Sequence, residues 1–125
     1  MPKERVCANS ETVSTDHDPI VPLYQEWCSA HRDWMAVADE PGNGNWDFPE
    51  SKAAEARSDA AYEEMLGMTP TTLQGIKAFA HLLWSLVGPG SAEGTLGFDE
   101  ECKLPDAILI AGIWRAAGGE GVHPN

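Results

Sequence analysis

Cys28 and His31 form the pair of residues most readily given a chemical role. Three residues apart, they share one face of a helix, and a thiolate and an imidazole together suit zinc. Zinc sites usually draw on two closely spaced pairs, whereas the remaining candidates, His81 and Cys102, stand singly and far along the chain. His31 therefore reads as a buried histidine satisfied within helix packing, and no metal or other cofactor is expected. The motifs of catalysis are absent as well. No G-x-S-x-G, P-loop, G-x-G-x-x-G or H-E-x-x-H occurs, and no spacing of Ser, His and Asp singles out a nucleophile and its base. No catalytic residue is assigned, and the chain is not expected to be an enzyme.

Carboxylates are the other chemistry in quantity. The 125 residues carry 20 Asp and Glu against 8 Lys and Arg, a net charge of -12. Residues 16–64 hold 12 of the acidic residues and 3 of the basic ones. Within them Glu55, Asp59 and Glu63 recur every fourth residue, one row along a helix at about 6 Å per turn. None has a lysine or arginine four residues downstream, so the row repels itself by about 0.2 to 0.5 kcal/mol per adjacent pair. Glu26, Asp33 and Glu40 form a sparser row. Such a ridge either meets a basic surface on a partner or serves as a solvated face that keeps the protein dispersed. Direct binding to nucleic acid is not expected, because that needs clustered Lys and Arg.

Five tryptophans divide into two kinds. Trp27, Trp34, Trp84 and Trp114 fall on apolar helix faces and read as core. Trp46, in the tip sequence PGNGNWDFP, is either an exposed partner anchor or a plug folded back on its own hairpin. The acidic residues Glu26, Asp33, Glu55, Asp59 and Glu63, with Trp46, are the candidate partner-binding set.

These side chains need helices to position them. Asp18-Pro19 gives a cap-then-proline start, and Ile20, Tyr24, Trp27, His31, Trp34 and Ala38 recur at alternating fours and threes up to the Pro41-Gly42 stop. A second helix, Pro49 to Leu66, has Ala54, Ala61, Met65 and Met68 as its inner face. The pair forms an antiparallel αα-hairpin over 18–67. Thr69-Pro70 repeats the start signal for a third helix over 69–87. That helix contains no acidic residue and is apolar nearly all round, the mark of a central position. Residues 88–103, with four glycines and the run Asp99-Glu100-Glu101, read as a long connection. A fourth helix spans 104–117. Residues 1–17 and 118–125 read as tails.

The expected architecture is all-α: one domain over 18–117, with a projecting hairpin and two core helices. Trp84 is the aromatic whose truncation to alanine is expected to cost about 3 to 5 kcal/mol. No stretch approaches the ~20 apolar residues of a membrane span. The odd cysteine count (Cys7, Cys28, Cys102) and the lack of an apolar leader make a cytoplasmic protein the expectation.

The order of a stripe helix, a PG tip, an Ala/Glu-rich return helix and the segment MTPTTLQGIKAFAHLLW (Met68 to Trp84) resembles a group of small acidic alphaproteobacterial and prophage-borne helical-hairpin proteins. The likeness covers roughly residues 18–87, with an echo in IWRAA at Ile113 to Ala117. It implies a helical hairpin and a mobile-element origin, and it supplies no catalytic residue. The functional expectation is a non-catalytic module that binds a protein with a basic surface. Its sharpest form is a prophage-type, anti-CRISPR-like inhibitor or decoy of a nucleic-acid-binding complex. The alternative is an assembly protein that self-associates through apolar surface on its last two helices.

Overall fold

A computed structural model describes residues 18–124. The tail expected over 1–17 lies outside the described residues, as does Asn125. Among the described residues five helices follow one another: α1 Ile20–Ala36, α2 Pro49–Leu66, α3 Leu73–Val87, α4 Leu96–Glu101 and α5 Pro105–Ala116. The described residues contain no strand, so the all-α expectation holds. No described helix is long and apolar enough to cross a membrane.

The helix count corrects the expected four. Within the segment taken as a connection, the Thr95 hydroxyl accepts a hydrogen bond from Phe98 N at 3.2 Å, and Phe98 is buried. A capping threonine followed by one buried aromatic is enough for six helical residues, even among glycines. The described residues fall into two compact units, Pro19–Thr69 and a second that joins Asp18 to Pro70 and the residues after it. Helix packing explains the division, since α1 packs along α2 while α3 packs along α5.

In the first unit Trp27, Ala30, Ala54, Ala61 and Met65 are buried. Alanine at the contact lets two helix backbones approach closely, which is why so weakly amphipathic a helix as α2 finds a partner. Helix α1 ends at Ala36 rather than near Glu40. The chain continues in successive three-residue turns, with Ala38 N donating to Met35 O, Glu40 N to Val37 O and Asn43 N to Glu40 O. Asn43, buried in this connection, donates through Nδ2 to Val37 O (2.8 Å) and to Ser51 Oγ (2.9 Å). Its Oδ1 accepts from Phe48 N (3.1 Å).

The two expected proline starts are also displaced. The N-cap position of α1 is Pro19, one residue after Asp18. Asp18 is buried, and Oδ2 accepts from Thr71 N (3.2 Å) and Thr72 Oγ1 (2.7 Å) at the head of α3. Thr72, not Thr69, is the α3 cap, its hydroxyl accepting from Gly75 N at 3.0 Å. A Cβ on Gly75 would lie 2.3 Å from Asp18 Oδ2, so this close approach needs glycine.

The core of the second unit is Ala80, Ile110 and Trp114, with Trp84 only partly buried against it. Trp114 thus takes the place expected for Trp84. Residues 118–124 are not a free tail. Trp114 Nε1 donates to Glu120 O at 3.0 Å, Arg115 Nη1 donates to Val122 O, and His123 stacks on Trp84 with ring centroids 5.3 Å apart. Nor is α3 central. Leu73, Ile76, Leu83, Leu86 and Val87 are exposed on it, as are Ile108, Leu109 and Ile113 on α5. A single helix laid along α3 covers one side of it and leaves the rest of its apolar circumference bare.

Candidate partner-binding site

Helical spacing sorts the charged residues of α2 onto two flanks. Arg57 is two residues from both Glu55 and Asp59, which turns it about 200° around the helix from each. On its own flank it meets α1. Arg57 Nε donates to Glu26 Oε2 at 2.8 Å and Nη2 to Glu26 Oε1 at 3.3 Å, Nη1 pairs with Asp33, and Nη2 also donates to Ser29 Oγ at 3.2 Å. A planar guanidinium with five donors can serve three acceptors at once. Glu26 and Asp33 are therefore not uncompensated carboxylates, which corrects that part of the expected ridge. Of the expected row on α1, both belong to an internal clamp.

The hydrogen bond from Arg57 holds the Glu26 carboxyl below its usual range, and the guanidinium charge adds to this. A depressed folded-state pKa contributes stability above the unfolded-state value, and the contribution is lost as pH falls through the folded-state value. Wild type should therefore melt above Arg57→Gln at neutral pH, and the gap should close as pH drops through and below the carboxylate range. Melting temperatures of both proteins across that range check this. Parallel curves would show that the clamp contributes nothing to stability.

The opposite flank is different. Glu55, Asp59 and Glu63 are exposed, and no described lysine or arginine pairs with them. Glu55 and Asp59 line a cleft of about 250 Å³ between α1 and α2, with Ser58, His31 and Trp34 around it and Ala30 and Ala54 below. Glu63 lies one turn beyond. His31 is exposed, contrary to the buried histidine expected. Its Nδ1 lies 2.9 Å from Trp27 O, and a carbonyl can only accept, so Nδ1 carries the proton. Its ring also packs on Trp27, with centroids 4.3 Å apart.

Trp46 stacks on Trp34 at 4.2 Å and 22° while remaining 41% exposed. One face is folded back on the hairpin and the rest is open to solvent. The stack holds Trp46 at φ +62°, in the left-handed region that residues with a Cβ seldom enter. Burial, and then the neighbouring Cys28 thiol, push the Tyr24 hydroxyl upward, so this cysteine has a local partner on α1. Burial likewise raises the Cys102 thiol, with Asp99, Glu101 and Glu93 adding to it. Among the described residues no three His, Cys, Asp or Glu side chains gather as metal ligands.

Sequence reasoning missed Arg57, Ser29 and Ser58 in these roles. The clamp joins residues 24 to 31 apart, and no local pattern announces it. The cleft was foreshadowed only by the shared stripe of His31 and Trp34. Comparison of the chain with protein-family models, with curated proteins and with solved structures finds no match.

Proposed function

We propose that the protein is a non-catalytic binding module whose α1–α2 hairpin presents Glu55, Asp59 and Glu63 to a basic surface on a partner protein. The supporting observation is the asymmetry of the hairpin: on one flank Arg57 holds Glu26 and Asp33 of α1, and on the other Glu55, Asp59 and Glu63 are exposed, with no described lysine or arginine in an ion pair with them. Net charge of one sign speeds encounter with an oppositely charged surface, and an ordered row adds register to that attraction. In its narrower form the row stands in for backbone phosphates, and the module acts as an inhibitor or decoy of a nucleic-acid-binding complex.

The test is binding of a fluorescein-labelled deca-lysine peptide, read by anisotropy at low and high salt. Changing Glu55, Asp59 and Glu63 together to Gln, Asn and Gln should weaken binding about tenfold at low salt, roughly 1.4 kcal/mol. Unchanged affinity would remove the row from the reading.

One observation favours a second reading, self-association. Leu73 is 64% exposed on α3 and Leu109 66% exposed on α5, alongside the other bare apolar side chains of that unit. Light scattering separates the two: a stable dimer favours assembly, and a monomer favours the hairpin.

A further inference from the structure

We infer that the cleft lined by Trp34, His31, Glu55, Ser58 and Asp59 is a receptor for an arginine side chain of the partner. This rests on the reading of the hairpin as a surface for a basic protein and specifies which basic group it takes. The fold carries its own precedent. On the other flank of the same helix pair, a guanidinium is held by one glutamate, one aspartate and one serine: Glu26, Asp33 and Ser29 around Arg57. The cleft offers the same set, Glu55, Asp59 and Ser58, with no described cation among them. At four residues apart the two carboxylates stand one helical turn from each other, within reach of one planar fork.

The cleft adds what the Arg57 clamp lacks, an aromatic wall. Trp34 lines it and is braced from behind by its stack on Trp46. An aromatic face attracts a guanidinium both as a cation and as a flat, weakly hydrated plane, whereas an ammonium is held only as a point charge. A volume of about 250 Å³ floored by Ala30 and Ala54 accepts the guanidinium and the methylene groups behind it.

The experiment compares fluorescein-labelled deca-arginine with deca-lysine, which carry equal charge. The arginine peptide should bind about fivefold tighter, the scale of a cation–π contact with partial desolvation. It should also quench tryptophan emission more at equal occupancy. Glu55→Gln with Asp59→Asn should erase the arginine preference. Glu40→Gln with Glu64→Gln removes the same charge from exposed positions outside the cleft, and should weaken both peptides alike while leaving the preference intact. Circular dichroism checks that each variant is folded. If the peptides bind equally, or if the two double variants behave alike, the arginine receptor is overturned while the basic-partner reading stands. If neither peptide binds, both fall together.

Discussion

Truncating Trp114 to alanine should destabilise the second unit by about 3 to 5 kcal/mol, the range for loss of a buried aromatic. Three features place it at the top of that unit's energetics. Its indole is buried with Ala80 and Ile110, and the His81 ring meets it edge-on at 5.5 Å. Its Nε1 donates to Glu120 O, tying residues after α5 back to the helix. Finally, a Cβ on Gly119 would lie 2.2 Å from its Cε2, so the ring fills the space that glycine leaves. Alanine would open a cavity, strand a carbonyl and release the returning segment together. Trp84→Ala should cost clearly less, because Trp84 is only partly buried, with His123 laid over it. Denaturant unfolding followed by circular dichroism checks both. Equal costs for the two variants, or an unshifted midpoint for Trp114→Ala, would reject this account of the core.

The second large effect is expected at Asn43. Its alanine variant should lose about 2 to 4 kcal/mol from the first unit, since several buried polar groups lose their partner at once. Asn43 and Ser51 are both buried, and the amide serves Val37 O, Ser51 Oγ and Phe48 N. A buried donor left unpaired costs its full desolvation, which exceeds the net worth of the bond it made. Asn43→Asp discriminates the cause. It keeps the shape and the acceptor for Phe48 N, yet has no proton to give Val37 O, and it adds a buried charge. If hydrogen bonding is the cause, Asp should be nearly as damaging as Ala at neutral pH. If Asp is tolerated, filling of space rather than donation explains the site.

The same asymmetry runs through both units. Each is two longer helices packed side by side, too thin to cover its whole surface. In the first unit the uncovered surface is anionic, and in the second it is apolar. A charged surface stays hydrated at little cost, while an exposed apolar one raises the free energy of the isolated chain in water. The leucines on α3 and α5 are thus the residues through which the two readings of function part.

What the residues determined by themselves is whatever depends on near neighbours. Pro49 opens α2 and Leu66 closes it where expected, α3 ends at Val87 before Gly88-Pro89-Gly90, and of the expected inner face Ala54, Ala61 and Met65 are buried while Met68, beyond the helix, is half-buried. Helix type, the Pro49 start and face periodicity are properties of a few consecutive residues. Tertiary structure alone decided the rest. Asp18 serves the head of α3 because folding brings Thr71 and Thr72, 53 and 54 residues away, within hydrogen-bond reach of its carboxylate. Glu26 and Asp33 share one guanidinium because folding brings Arg57 beside them, while Glu55 and Asp59 on the opposite flank line a cleft with no described lysine or arginine in its lining. Periodicity shows which side chains share a face; it carries no information on whether another helix arrives to cover that face, and so α3 could look central yet stand half bare.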